Sequence, residues 1–174
     1  MGSVRFGIPR ELVLSLKKRY CTNDFFETGT LEGHTSAWAA EHFFRVTTVD
    51  VVAHPNAEAN LKPFHNVRRH IDRSERLIVT ESFLYPTLFW LDAHTDEHCP
   101  VLAEIDAINR SESQRLMAAI NRSDADHVIL VDDARLFDAL TAWPHKSDVI
   151  KALEDCGRRT VYETEDVLVA EPCL

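Results

Sequence analysis

Short runs of apolar, β-branched and aromatic residues alternate with stretches of helical period along almost the whole chain. The strand-like runs are Asp24–Glu27, Val46–Val52, Asn66–Ile71, Thr87–Leu91, His127–Val131, Thr160–Tyr162 and Val167–Ala170. Between most of them lie Thr35–Phe44, Asn56–Leu61, Glu75–Leu84, Val101–Asn121 and Ser147–Asp155, several opened by a Ser, Thr or Asn suited to capping a helix. Parallel strands must be joined by crossovers, usually helices, so this alternation predicts an α/β fold with a doubly wound, mostly parallel, seven-stranded sheet and helices on both faces. Only Glu163–Asp166 separates the last two runs, which predicts a C-terminal antiparallel hairpin. One ambiguity concerns the third strand. Leu77–Val79 is also strand-like, but Asn66–Ile71 is preferred because Glu75–Leu84 then supplies the helix needed before Thr87.

Size and charge narrow the classes. The 174 residues, 45% hydrophobic, suffice for one packed core and are too few for two ordinary domains. Residues 1–174 are therefore expected to be a single domain, with residues 1–22 adding an N-terminal helix, Glu11–Tyr20, packed on it. No charged-then-apolar leader and no run of 18 apolar residues is found, so a cytoplasmic protein with no membrane partner is expected. Cys21, Cys99, Cys156 and Cys173 form no C-x-x-C pair and read as reduced thiols. A net charge of −9 opposes nucleic-acid binding. The basic cluster Arg68, Arg69 and His70 reads as a solvated turn in preference to an anion contact.

The chain has only five glycines, and two of them fall in "FFETGTLEGHTSAWAAEHFFRVTTVD", residues 25–50. Gly29 follows a strand, where a tight turn with positive φ is needed, and Gly33 opens a helix that another backbone or a ligand can approach closely. Asp50 ends the next strand, 21 residues after Gly29, where a carboxylate can accept both hydroxyls of a ribose. Together the three positions describe an adenosine site. The three-glycine dinucleotide fingerprint is missing, which disfavours NAD and favours S-adenosylmethionine.

A second constellation pairs "LFWLDAHTDEHCP", residues 88–100, with "HVILVDDARLF", residues 127–137. Each is an apolar strand that ends in acids. Ligands of open α/β sheets collect outside the carboxyl ends of the strands, so Asp92, Asp132 and Asp133 are expected to converge beside Gly29 and Asp50. Three carboxylates in one crevice call for a cation or a proton, and Mg²⁺, which prefers oxygen ligands, is implied. His94 is then placed to accept a proton from a cation-bound hydroxyl. A zincin site is not supported, because Thr95 stands where H-E-x-x-H needs its glutamate and Pro100 interrupts the helix. Trp143 reads as a packed loop anchor.

The segments "ETGTLEG", "VTTVD", "LFWLDAH", "CPVLAEIDAI" and "ILVDDARLF" resemble the class I S-adenosylmethionine-dependent methyltransferases over about residues 24–172. Within that class the series is similar to small bacterial methyltransferase-like proteins and, more distantly, to the macrocin O-methyltransferase-like enzymes. The resemblance implies a Rossmann-like fold. Its glycine loop puts the methionine end of the cofactor on Glu27, Gly29, Thr30 and Gly33, the ribose on Asp50, and further cofactor contacts on Asp72, Ser74 and Asp92. The family's L-D-G-D motif, a metal ligand followed by a base, falls on Asp92 and His94, and its D-D pair falls on Asp132 and Asp133. Two positions depart from the pattern: His94 replaces an aspartate, and Asp72-Arg73-Ser74 lacks the glycine of G-D-S.

The function expected is methylation of a small molecule by S-adenosylmethionine, at oxygen and assisted by a divalent metal. Two alternatives remain from other classes. One is a cofactor-binding or interaction protein with this fold but no methyl transfer; the other is a metal-dependent phosphoester hydrolase. The acceptor has no readable signature, and a homodimer is the commonest assembly for a small enzyme domain.

Overall fold

The computed structural model describes residues 7–118 and 127–173. Seven strands form one sheet: β1 (Asp24–Thr28), β2 (Arg45–Asp50), β3 (Val67–Ile71), β4 (Thr87–Leu91), β5 (Val128–Val131), β6 (Arg159–Thr164) and β7 (Val167–Pro172). Their order is β3-β2-β1-β4-β5-β7-β6. The first five run parallel, while β7 is antiparallel to both β5 and β6. The helices are α1 (Arg10–Tyr20), α2 (His34–Ala40), α3 (Pro55–Leu61), α4 (Ser74–Thr80), α5 (Val101–Ala118) and α6 (Lys146–Glu154).

Every residue of β1, β4, β5 and β7 is buried, as expected for strands covered on both faces. Successive side chains go to opposite sides. Phe26, Phe89, Leu91, Ile129, Val131, Leu168 and Ala170 pack with Ile78, Ile105, Ile108, Val149 and Leu153 from α4, α5 and α6. Phe25, Leu88, Trp90, Val128, Leu130, Val167 and Val169 pack on the other face with Val13 and Leu16 of α1 and Trp38 of α2. Polar contacts also fasten α1: Glu171 at the end of β7 accepts hydrogen bonds from Arg19 (2.8 Å), Tyr20 (2.5 Å) and Tyr162 (2.5 Å).

Several expected boundaries move, for local reasons. The third strand is β3, and Leu77–Val79 lies inside α4. Arg68, Arg69 and His70 therefore belong to an edge strand of the sheet and do not form a turn. Helix α2 ends at Ala40, four residues short of Phe44, as Phe43 turns into the core against Phe25, with ring centroids 5.0 Å apart. Helix α4 stops at Thr80, whose hydroxyl bonds back to the carbonyls of Arg76 and Leu77, before Glu81 turns extended. Strand β2 ends at Asp50, leaving Val51 and Val52 exposed in a bend. The β6–β7 turn has Glu165 and Asp166 both at positive φ (50° and 68°), the geometry of a two-residue type I′ hairpin. The expected end of α5, residues 119–121, lies outside the described residues, as does the side chain of Cys156. Cys21, Cys99 and Cys173 are free thiols.

The strand order reverses between β1 and β4, so the crevice for a ligand opens outside their carboxyl ends. Asp50, Asp92 and Asp132 each stand at or just past the end of a strand on that side.

Candidate active site

The glycine loop is shaped by the protein's own backbone. Gly29 has φ +84°, and a Cβ there would lie 2.5 Å from the carbonyl oxygen of Asp92. Its glycine identity therefore lets β1 run directly beside the end of β4. Gly33 has φ +79°, and a Cβ there would lie 3.0 Å from the side chain of Leu61 in α3, so its glycine identity serves helix packing.

Asp50 holds this loop from the neighbouring strand. Its Oδ2 accepts the N–H of Leu31 (2.9 Å) and its Oδ1 that of Val52 (3.1 Å). Both oxygens keep lone pairs for further donors. Leu31, Val51, Val52 and Ile71 are all exposed apolar residues near this carboxylate in the backbone: Leu31 and Val52 bond to it, Val51 follows it and Ile71 is its partner on β3.

Glu27 lies one layer below. It is buried and accepts hydrogen bonds from Ser36 of α2 and from Thr48 of β2 (2.7 Å), while Thr48 also pairs with Thr30 of the loop (2.7 Å). Burial pushes its carboxyl up to about 8, so at neutral pH it carries a proton. The folded protein then keeps a proton that the unfolded chain, at its ordinary value of 4.5, has released. Folding stability consequently falls as pH rises from about 4.5 to about 8, with a slope of up to about 1.4 kcal/mol per pH unit from this group. Urea unfolding at several pH values should show this decline, and Glu27→Gln should flatten it. Glu104 and Asp132, both raised by burial to about 7, and His94, held up to about 9, slope the same way and leave a residual decline.

Asp72 and Ser74 flank the turn from β3 into α4. Asp72 is half-buried; its N–H donates to the Asp50 carbonyl (3.0 Å), and its Oδ1 accepts the N–H of Arg73 (2.8 Å). Ser74 is buried at the start of α4.

The acids past β4 and β5 surround His94. Its Nε2 lies 2.9 Å from Asp133 and 3.4 Å from Asp92, and its ring packs on Trp143 at 4.7 Å. Trp143 is itself fixed by a hydrogen bond from Nε1 to the carbonyl of Thr95 (2.9 Å). Hydrogen bonds to Asp133 and then Asp92 hold the imidazole's proton up to about 9. The same bond to His94, with Arg135 alongside at 2.5 Å, keeps Asp133 below the usual carboxylate range. Asp132 is pushed up to about 7 by burial and then by Asp92, and its Oδ1 accepts the N–H of Asp133 (2.7 Å).

Ligand atoms of Asp92, His94 and Asp133 lie within 4.8 Å of one another, an arrangement able to hold a metal ion. Asp132 is adjacent in sequence but is not a member of that group. Two carboxylates and one imidazole suit borderline ions such as Mn²⁺ or Zn²⁺ better than Mg²⁺, which favours oxygen alone.

The crevice thus combines a glycine loop, an acid at the end of β2 and an acid-rich pocket past β4, on a sheet whose last strand inserts antiparallel between β5 and β6. No family model matches the chain, and no curated protein matches it. Solved structures do. The O-methyltransferase TomG from Streptomyces achromogenes, involved in tomaymycin synthesis and solved with S-adenosylmethionine, aligns at a TM-score of 0.65 and 18% identity, over 99% of this chain and 83% of that one. The fold is that of the class I S-adenosylmethionine-dependent methyltransferases. A Bacillus cereus O-methyltransferase bound to S-adenosylhomocysteine aligns at 0.59 and 17% identity, over 97% and 83% of the two chains. Precorrin 8W decarboxylase of Methanobacterium thermoautotrophicum aligns at 0.62 and 14%, over 99% and 94%, so the fold alone does not choose the reaction.

Sequence reasoning did not single out Thr28, Ser36, Thr48, Glu104 or Arg135. For Glu104 a signal was present: Val101, Glu104, Ile105 and Ile108 share one helical stripe, in which the glutamate is the lone acid. The exposed Val51 and Val52 were hidden because β-branched residues extend a strand pattern as readily as they line a pocket.

Proposed function

We propose that the chain binds S-adenosylmethionine and transfers its methyl group to an oxygen of a small-molecule acceptor. The observation that carries this reading is the convergence at one sheet edge of the Gly29 loop, Asp50 and the Asp92–His94–Asp133 cluster. Asp50, at the end of β2, receives the ribose hydroxyls, and the exposed Val51, Val52 and Ile71 offer apolar surface to the adenine. The loop from Gly29 to Gly33 takes the methionine end, with Glu27 and Thr30 fixing its shape from below, and Asp72 and Ser74 border the base.

The sulfonium methyl needs little activation, so the residues' work is to align an acceptor oxygen with it and to handle that oxygen's proton. His94 Nε2 is the proton-handling atom. Asp92 and Asp133 keep it charged at neutral pH, and a form of the site in which these carboxylates are otherwise engaged frees it to accept a hydroxyl proton. A divalent cation, if bound, would be held by Asp92, His94 and Asp133, with Asp132 beside them, and the His94 Nε2 lone pair would then serve the ion in place of the proton. When bound, such an ion lowers the pKa of a coordinated hydroxyl.

A second reading, cofactor binding without transfer, is favoured by the ion pairs that already occupy His94. Calorimetric titration with S-adenosylhomocysteine tests the cofactor reading directly. One-site binding is expected for the wild type, weakened about tenfold or more by Asp50→Ala, which removes charge-assisted bonds to the ribose. Absence of binding to the wild-type protein would overturn the assignment. Titration of Mn²⁺ and Mg²⁺ into wild type and Asp92→Asn tests the metal. Heat that saturates in the wild type and disappears in the variant supports the cation, and no saturable heat with either ion removes it from the mechanism.

A further inference from the structure

The turn between β6 and β7 carries an acid where its backbone would be better served by glycine. Type I′ turns need positive φ at both central positions and are ordinarily built from pairs such as Asn-Gly or Asp-Gly, yet this one holds Glu165 and Asp166, at φ 50° and 68°. The contacts of Asp166 give the acid a reason. Strand β7 pairs antiparallel with β5, Val131 opposite Leu168, which sets the turn against the loop that leaves β5. The Asp166 carbonyl accepts the N–H of Ala134 (2.8 Å) and its Oδ1 that of Arg135 (2.8 Å), while its Oδ2 takes the Arg135 guanidinium. The same guanidinium nitrogen, Nη1, lies 2.5 Å from Asp133 Oδ1, and the other oxygen of Asp133 lies 2.9 Å from His94 Nε2.

These contacts form one chain, from the hairpin turn through Arg135 and Asp133 to His94. Asp133 needs a hold of this kind, because its own backbone sits at φ 53°, a region that a residue with a side chain occupies only when its surroundings impose it. A planar guanidinium fixes direction as well as charge, so pinning Arg135 from one side aims it at Asp133 on the other. We infer that Asp166 is a positioning residue: from outside the crevice it fixes the loop after β5 and the Arg135 side chain, and through them it holds the Asp133 carboxylate against His94. The consequence for catalysis rests on the proton-handling role proposed for His94, while the geometry can be tested without cofactor or acceptor.

The test compares Asp166→Gly, Arg135→Ala and Asp166→Asn with wild type, with no divalent ion added. Glycine suits positive φ, so Asp166→Gly should unfold at a midpoint equal to or above that of wild type. Its Ala134 amide, bonded to the carbonyl of residue 166, should stay protected and report an intact turn. The His94 Nε2 proton, followed by NMR at neutral pH, should nonetheless exchange with solvent about tenfold or more faster in both Asp166→Gly and Arg135→Ala, as its charged hydrogen bond to Asp133 loosens. Combining the two substitutions should add little, because both break the same chain. Asp166→Asn tolerates positive φ and keeps an oxygen for the Arg135 N–H, so it should recover most of the protection. A His94 proton held as firmly in Asp166→Gly as in wild type would overturn the inference, and so would losses that add in the double variant. If wild type itself fails to bind S-adenosylhomocysteine, the cofactor reading falls, and the His94 exchange rates still decide whether Asp166 places Asp133. Should Asp166→Gly fail to fold, Arg135→Ala breaks the chain at its next link, and wild-type protection of His94 there would overturn the inference equally.

Discussion

Replacing Gly29 with alanine is expected to abolish measurable S-adenosylhomocysteine binding and to lower folding stability. The added Cβ would sit 2.5 Å from the carbonyl oxygen of Asp92 and 2.8 Å from its carbonyl carbon, and these are backbone atoms that cannot rotate away. Residue 29 is also held at φ +84° by the hydrogen bond from its N–H to the Val49 carbonyl (2.9 Å), so alanine would be strained even in open space. Strain and overpacking together should cost about 2–5 kcal/mol. Relief requires β1 and β4 to separate at their carboxyl ends, which displaces the Thr28 hydroxyl from the Asp92 and Ala93 amides. Gly33→Ala provides the contrast. Its Cβ meets the flexible Leu61 side chain at 3.0 Å, so it should pay the backbone strain with less overpacking and retain weakened binding. Urea unfolding and calorimetry on both variants check the ranking. Equal behaviour of the two would show that conformational freedom alone, and not the approach of Asp92, explains Gly29.

The alternation of apolar runs with helical stretches was enough to read the sheet, because each buried parallel strand must be followed by a crossover and each helix must cover a face. Helix ends were less legible. The period of Thr35–Phe44 continues to Phe44, but the chain leaves the helix at Ala40 because Phe43 gains more by packing on Phe25 than by one further turn. In the site, Asp50, Asp92 and Asp133 were legible as strand-terminal acids, since their positions follow from the sheet alone. Partner choice was not. That His94 lies between Asp92 and Asp133, with Arg135 on the far side of Asp133, depends on the path of the loop after β5, where Asp133 takes a positive φ of 53°. The hydroxyl chain from Thr30 through Thr48 to Glu27 was similarly hidden, because threonine in a strand usually signals no more than a β-branched fit.

The buried pair Glu112–Arg159 should be the most sensitive point of the fold outside the crevice. Both side chains are almost completely shielded, at 4% and 1% exposure, and the guanidinium of Arg159 bonds to Glu112, to Asn109 Oδ1 (2.9 Å) and to the Leu153 carbonyl (3.2 Å). Glu112→Leu would leave that guanidinium buried without its counter-charge, an imbalance that typically costs about 3–5 kcal/mol. That is a large share of the roughly 5–15 kcal/mol that holds an ordinary domain together. Glu112 also accepts the His127 N–H (3.1 Å), and His127 Nδ1 accepts that of Thr87 (3.1 Å), so the same substitution loosens the starts of β5 and β4. Those strands carry Asp92, Asp132 and Asp133 at their other ends. Replacing both charges, as Glu112→Leu with Arg159→Met, removes the unpaired ion and should recover most of the lost stability. The double-mutant cycle in urea therefore predicts a strong positive coupling. Additive losses would mean that solvent reaches Arg159 and that the pair acts as an ordinary surface contact.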